Sequence, residues 1–234
     1  MPDRRASLYT FLTAVFVTCL LVADITGGKF FRLQLFTVGG YEFVTHSVGM
    51  LAFPITFLLT DLVNEYYGPQ AARRLTWTGL AAALLAFVLI FVDRKLPVAP
   101  ESPLSQEQFE AVFAMSNRLY VASLSAYLLG QMADIAVFGV LKRWTDGKLV
   151  WLRATGSTVV SQALDSFVVT FILFWGVADQ TGREPDLSAV LRIAATGYIL
   201  KFVLALGLTP VIYLGRWLLR TQLGLVPWQP DAKH

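Results

Sequence analysis

Long apolar runs separated by short polar segments recur along the whole chain, a pattern that predicts membrane-spanning helices. Crossing about 30 Å of hydrocarbon as a helix takes roughly 20 mostly apolar residues. Six runs are close to that length, at about residues 7–27, 47–66, 74–92, 117–141, 154–178 and 189–217. Ten-residue segments of alternating polarity are not seen, so the pattern favours an all-α helical bundle over a barrel.

The composition agrees with this pattern. Of the 234 residues, 56% are hydrophobic and only 15% are charged, and the mean hydropathy is +0.59, as expected for a membrane protein. We predict a single transmembrane domain over residues 1–234, a polytopic bundle of six helices. The N-terminus has the basic head of a signal peptide, but its apolar run is long and five more follow, which favours an uncleaved first helix.

Three local patterns lie outside or interrupt these spans. "PLSQEQFEAVF", between spans three and four, predicts a short amphipathic helix, and Ser105 followed by Gln108 has the spacing of a capping box. The loop at 28–46 alternates apolar and polar residues around Gly39-Gly40, which predicts a small hairpin. Pro210 predicts a kink in the last span, because its ring removes a backbone donor.

Lysine and arginine predict the orientation, since they are enriched in cytoplasmic loops. A cytoplasmic N-terminus places on that side Arg4, Arg5, Arg73, Arg74, Lys142, Arg143, Lys148, Arg153, Arg216, Arg220 and Lys233. The other side then has fewer bases, diluted by acids. We predict that both termini are cytoplasmic. This bias accounts for the net charge of +3, which therefore gives no indication of nucleic-acid binding.

Carboxylates inside the apolar runs are the feature that points to function. Five lie within or at the edges of the spans, namely Asp24, Asp61, Glu65, Asp134 and Asp165. A central aspartate costs about 2.5–3.5 kcal/mol to insert, so these side chains are expected to face the bundle interior or a water-filled cavity. For Asp24 the alternative is solvation at the end of its span.

The second span has a polar stripe. Asp61 and Glu65 are four residues apart, about 40° around a helix, and Asn64 lies beside them, so the three side chains point in nearly one direction. They are expected to contribute to a polar cavity. The alternative is a position at the cytoplasmic interface, with bonds to Arg73 or Arg74.

The fourth and fifth spans repeat a Q-x-x-D pattern, Gln131 with Asp134 and Gln162 with Asp165. This spacing puts an amide and a carboxylate on one face of each helix. Hydrogen bonding for helix assembly alone is the alternative. Lys201 is the base in the middle of a span, and its central position favours pairing with one of the carboxylates over snorkelling to an interface.

Motifs for enzymatic chemistry are missing from the sequence. No G-x-G-D motif accompanies the aspartates, "GSTVVS" is not a G-x-S-x-G motif, and H-E-x-x-H is absent. His46 and His234 lie outside the spans, so we predict no metal site, no cofactor and no catalytic residues. A G-x-x-x-x-G-K-[ST] motif is also absent, so the chain is not expected to hydrolyse ATP itself.

The order of these motifs resembles a known family. The segments "FPITFLLTDLVNEYYGPQAARR", "AYLLGQMADIAVF", the Trp-Leu-Arg at 151–153 and "GSTVVSQALDSFVVTFILFWG" are similar to the queuosine precursor transporter family, also described as vitamin-uptake-transporter-like. The similarity extends from about Asp24 to Lys201.

The resemblance implies an inner-membrane importer of 7-cyano-7-deazaguanine or 7-aminomethyl-7-deazaguanine, precursors of the modified tRNA nucleoside queuosine. It also implies a six-helix fold similar to the S components of energy-coupling-factor transporters. Such a chain would work alone, by facilitated diffusion or proton coupling, or dock on a separate energising module. The alternatives are an S component for another vitamin or purine, a channel or structural protein, and, least favoured, an intramembrane enzyme.

The chemistry of the implied ligand suggests a site. A deazaguanine presents two N–H donors along one edge that match a carboxylate, a carbonyl oxygen that needs a donor, and a flat face that favours an aromatic ring. The predicted site comprises Gln131, Asp134, Gln162, Asp165, Glu65, Asp61, Asn64, Phe57 and Lys201. Asp61 and Glu65 would complete the pocket or carry a coupling proton.

Aromatic side chains near these positions are candidates to stack on the base, namely Phe53, Phe57, Tyr127 and Trp175. Beyond the substrate, the predicted partner is the lipid bilayer. Small residues are plentiful on the helices and would allow a homodimer without selecting one.

Overall fold

The computed structural model describes residues 4–31, 46–113, 117–145, 149–176, 186–221 and 224–228. Within them the chain forms helices α1 (Arg4–Thr26), α2 (Phe53–Tyr67), α3 (Pro69–Asp93), α4 (Gln106–Phe113), α5 (Asn117–Trp144), α6 (Val150–Phe174) and α7 (Leu187–Thr221). Six helical segments in this part of the chain are long and apolar enough to cross a membrane. The predicted six-span helical bundle is confirmed.

Helix α2 is the central element of the bundle and packs against α1, α3, α5, α6 and α7. In its most apolar stretch 72% of the residues are buried, compared with 22% in α1 and in α3. The outer helices keep large apolar side chains exposed, among them Leu85, Val88 and Leu89 of α3. Such a surface suits contact with lipid chains, so the polar side chains of α2 are enclosed while the outer faces stay apolar.

A single residue, Gly68, joins α2 to α3. Its φ of +85° lies in the left-handed region, which glycine adopts without the steric cost that a Cβ brings. A Cβ here would also come within 2.9 Å of the Trp228 ring. Glycine therefore permits both the abrupt reversal between the helices and the close approach of the C-terminal segment.

The segment between α1 and α2 contains a short strand pair. Strands β1 (Phe30–Phe31) and β2 (His46–Ser47) are antiparallel, with Phe30 opposite Ser47. They form the base of the predicted hairpin, whose turn at Gly39-Gly40 lies outside the described residues. The 3₁₀ turn Val48–Leu51 then leads into α2.

The amphipathic helix predicted between spans three and four is α4. The amide of Ser105 donates to Gln108 Oε1 at 2.9 Å, and the amide of Gln108 donates to Ser105 Oγ at 3.2 Å. These reciprocal bonds are a capping box, as predicted from the spacing.

Helix α7 begins after a capping aspartate and runs through a proline. The amide of Ala189 donates to Asp186 Oδ1 at 2.7 Å, and this bond is the main reason that the pKa of Asp186 is lowered. Pro210 lies inside α7, which continues to Thr221. The kink predicted there stays a prediction.

Candidate functional site

The interior between α2, α5, α6 and α7 is polar. Its buried polar side chains include all eight polar residues of the predicted site, Asp61, Asn64, Glu65, Gln131, Asp134, Gln162, Asp165 and Lys201, each at most 6% exposed. The expectation that these residues face the bundle interior is confirmed. Helical spacing is the reason, because residues three or four apart on each helix share the face that packs against its neighbours.

Glu65 binds three bases, each from a different helix. Its carboxylate oxygens lie 3.1 Å from Lys142 Nζ on α5, 3.0 Å from Arg153 Nη2 on α6 and 3.6 Å from Arg216 Nη2 on α7. We call these four residues the Glu65 cluster. It links the ends of four helices at one end of the bundle, and its side chains are at most 14% exposed.

Two sequence expectations about the Glu65 cluster are wrong. Glu65 bonds to these three bases instead of to Arg73 or Arg74. The span pattern places Arg153 in a loop, yet the residue is fully buried. The reason is that α6 begins at Val150, before the predicted start at residue 154, so Arg153 lies within the helix. Its place in the Trp-Leu-Arg motif is the signal in the sequence that points to it.

The C-terminal segment covers the Glu65 cluster. The amide of Trp228 donates to the Glu65 carbonyl at 2.8 Å, and Lys142 Nζ lies 5.8 Å from the centre of the Trp228 ring. Arg5, at the start of α1, donates to the Tyr66 carbonyl at 2.6 Å. These contacts occupy carbonyl groups at the end of α2 that the helix leaves without partners.

Lys201 forms an ion pair with Asp165, which joins α7 to α6. Both side chains are buried, so the prediction that Lys201 pairs with a carboxylate is confirmed, and the structure identifies the partner. The ammonium also lies 5.7 Å from the centre of the Phe53 ring, within the range of a cation–π contact.

Asp61 and Asp134 lie close to each other where α2 packs against α5, between the Thr60–Gln131 and Asn64–Ile135 hydrogen bonds. Within the described residues neither acid forms an ion pair. Two hydroxyls of α6 donate to them, Ser157 to Asp61 Oδ1 at 3.5 Å and Ser161 to Asp134 Oδ1 at 3.2 Å. We call Asp61 and Asp134 the carboxyl pair.

The two glutamines of the Q-x-x-D repeats have unused hydrogen-bonding groups. Gln131 Oε1 accepts from Thr60 at 2.8 Å, but its Nε2 has no partner among the described residues, and neither does either amide atom of Gln162 or the hydroxyl of Ser166. These side chains are at most 2% exposed. An unpaired buried polar group costs about 1–3 kcal/mol, so this face is suited to a polar ligand.

The stacking candidates differ in their positions. Phe57 is buried and lies close to Gly130, beside Asp165, and Phe53 contacts Lys201. The hydroxyl of Tyr127 instead donates to the Thr76 carbonyl at 2.8 Å.

Trp175 follows the end of α6 and is 50% exposed. The Tyr127 hydroxyl is therefore bonded to α3, and Trp175 faces outward. Of the four candidates, Phe53 and Phe57 are the two that the described contacts place at the polar interior.

Asp24 lies apart from the polar interior, near the other end of α1 from Arg5. It is partly buried, and its Oδ1 accepts from Ser123 at 3.1 Å. It lines a cavity of about 50 Å³ with mostly apolar walls, together with Arg94, Phe113 and Tyr120. The alternative that Asp24 is solvated at the end of its span is therefore only partly correct. Asn64, in contrast, donates to the Ile135 carbonyl at 3.4 Å and links α2 to α5.

Six membrane-spanning segments around a polar interior define a multi-pass membrane protein. Within the described residues, no group of three or more His, Cys, Asp or Glu side chains could hold a metal ion. A family model described as "Putative vitamin uptake transporter" matches residues 47–215, and the chain belongs to this family. The protein is therefore a transporter and not an enzyme, as predicted.

Similar proteins come from three bacteria. The "Probable queuosine precursor transporter" of Bacillus subtilis is 33% identical over 172 residues, 73% of this chain and 71% of the relative. A protein with the same name from Haemophilus influenzae is 30% identical over 145 residues, 59% and 56% of the two chains. The "Queuosine precursor transporter" of Escherichia coli is 29% identical over 170 residues, 68% and 66%.

No solved structure matches the chain. The similarity to S components of energy-coupling-factor transporters therefore stays a prediction.

Proposed function

We propose that this chain imports a queuosine precursor, 7-cyano-7-deazaguanine or 7-aminomethyl-7-deazaguanine, across a bacterial inner membrane. The observation that carries the proposal is the set of buried glutamines with unpartnered amide atoms beside carboxyl groups. A deazaguanine edge carries both donors and acceptors, so it can satisfy such a set. The names of the three relatives support this substrate class.

Asp165 is the aspartate best suited to bind the guanine-like edge. Lys201 forms an ion pair with it, and a carboxylate can accept two N–H groups from one edge of a base. Gln162 is close by on the same helix, and its free amide supplies a donor for the substrate carbonyl. Phe57 packs near Asp165 and offers a ring for the flat face of the base.

The other residues of the predicted site take supporting roles in this proposal. Glu65 and Asn64 have partners on neighbouring helices and hold α2 in place. Gln131 offers its Nε2 to the ligand while its Oε1 is bound to Thr60. The Glu65 cluster, rich in bases, belongs at the cytoplasmic side, which agrees with cytoplasmic termini.

The first test is uptake of labelled precursor by a strain that cannot make it. Gln162→Leu and Asp165→Asn should each reduce uptake at limiting substrate by about 5- to 100-fold, since an unpaired group in a binding site costs about 1–3 kcal/mol and 1.4 kcal/mol is tenfold in affinity. Gln70→Leu, at an exposed position of α3, is the matched control and should behave as the unmodified protein.

Binding to purified protein gives the second measurement, with the two precursors and guanine as ligands. The proposed site is wrong if Asp134→Asn and Asp165→Asn both transport and bind at the unmodified level. Saturable binding of another vitamin, with no binding of either precursor, would overturn the substrate assignment.

A further inference from the structure

The four acids of the polar interior differ in what neutralises them. Glu65 has three bases and Asp165 has one, whereas no base among the described residues is bound to the carboxyl pair. From this difference we infer that the carboxyl pair carries a proton that is cotransported with the substrate. The chain would then be a proton symporter, an inference that rests on the proposed function.

The surroundings of the pair favour a proton on it. Ionised carboxylates have acceptor oxygens only and cannot bond to each other, whereas a protonated carboxyl can donate to its neighbour. Ser157 and Ser161 donate to the Oδ1 atoms, and the Oδ2 atoms have no hydrogen-bond partner among the described residues. At 3% and 0% exposure, two adjacent negative charges are strongly disfavoured.

The charges around the pair permit the proton to leave again. Glu65 lies one turn after Asp61 on α2, and its negative charge repels an Asp61 carboxylate. Arg153 lies across the interface on α6, and its positive charge attracts an Asp61 carboxylate. The other bases of the polar interior are bound elsewhere, Lys142 and Arg216 to Glu65 and Lys201 to Asp165.

Among the described residues, the interior therefore contains four bases. The acids carry three negative charges when the pair shares one proton, and four negative charges when the pair has lost that proton. Loss of the proton leaves no excess negative charge, so both states can exist inside the membrane.

The pair also adjoins the proposed substrate contacts. Gln131 lies three residues before Asp134 on the same face of α5, and Gln162 follows Ser161 directly on α6; both have unpartnered amide atoms. A substrate bound to these amides lies beside the pair. The bound substrate would then change the proton affinity of the pair, and the bound proton would change the affinity for substrate by the same factor.

The test uses the full chain purified and reconstituted in vesicles, with a pH-sensitive dye inside and labelled 7-cyano-7-deazaguanine outside. Uptake should acidify the interior, and an inward gradient of one pH unit should drive accumulation of up to about tenfold for one proton per substrate. Asp61→Asn and Asp134→Asn should abolish both effects while keeping a measurable, though reduced, exchange of labelled for unlabelled precursor. Asp24→Asn, a partly buried acid bonded to a serine outside the site, is the matched control and should keep both.

The outcomes separate this inference from the proposed function. Uptake by the unmodified protein without proton movement overturns the inference and leaves the importer intact, whereas absence of both uptake and exchange overturns the two together. Infrared spectra of the unliganded protein give a readout that needs no substrate. A protonated-carboxyl band that both Asn variants lose supports the inference, and a band that both variants keep overturns it.

Discussion

Two kinds of buried acid occur in this polar interior. Glu65 and Asp165 are bound by bases from neighbouring helices, whereas within the described residues the carboxyl pair is bound by the hydroxyls of Ser157 and Ser161 and by no base. Asp61 and Glu65 are only one helical turn apart, yet they belong to different kinds. The partners brought by other helices, and not the residue type, therefore decide whether an acid is paired with bases, and the proton exchange that we infer concerns only the unpaired kind.

This difference should be visible in stability. A buried ion pair adds little to the free energy of unfolding compared with an apolar contact. Removal of one partner, however, leaves a buried unpaired charge and lowers that free energy by about 3–5 kcal/mol. Replacing one acid of the carboxyl pair by its amide removes no compensating charge. Substitutions at the two kinds of acid should therefore have unequal costs, and the cost should be largest at the acid that binds the most bases.

Glu65→Gln should be the most destabilising. The substitution leaves Lys142, Arg153 and Arg216 close together with no anion between them, so the cost is expected at the upper end of about 3–5 kcal/mol. Thermal unfolding of the purified protein in detergent measures it. Glu107→Gln, exposed on α4, should leave the unfolding temperature unchanged. Equal unfolding temperatures for the two variants would show that the Glu65 cluster does not hold the helices together.

Lys201→Met should cost about 3 kcal/mol, because Asp165 would remain buried without its cation. Lys95→Met, at an exposed position after α3, is the control for loss of a lysine. The double variant Lys201→Met with Asp165→Asn removes both charges and should recover most of the loss. A double variant no more stable than Lys201→Met alone would contradict the ion-pair explanation.

The helices and the polar faces can be predicted from the sequence, but the partners cannot. Run length predicts six spans, and helical spacing puts Gln131 with Asp134 and Gln162 with Asp165 on interior faces, because both signals are local. Which base meets which acid depends on how the helices pack. The partner of Lys201 therefore stays open at the level of sequence. Of the bases of Glu65, Lys142 and Arg153 fall just outside the predicted spans and Arg216 at the end of the last one.

The boundary of α6 shows how a small local error changes a functional conclusion. Its start at Val150 is four residues earlier than the predicted span, a common uncertainty for helix ends. Because the helix begins earlier, Arg153 lies within it and is fully buried against Glu65, whereas the predicted span places this residue in a solvated loop. The burial of this base beside Glu65, and hence the contrast with the carboxyl pair, could not be derived from the span pattern alone.

The same substitution at the two kinds of acid is the sharpest comparison. Asp61→Asn should cost about 1 kcal/mol or less, because it leaves no base without its anion and, with the proton that we infer on the pair, changes the balance of only one hydrogen bond. Asp165→Asn should cost about 3 kcal/mol, since it leaves Lys201 buried and unpaired.

Unfolding temperatures of the two variants, measured in one detergent and at one pH, give the difference directly. A loss at Asp61 as large as that at Asp165 would mean that Asp61 is a fixed anion in the folded protein. The carboxyl pair would then be no different in kind from the acids that bind bases.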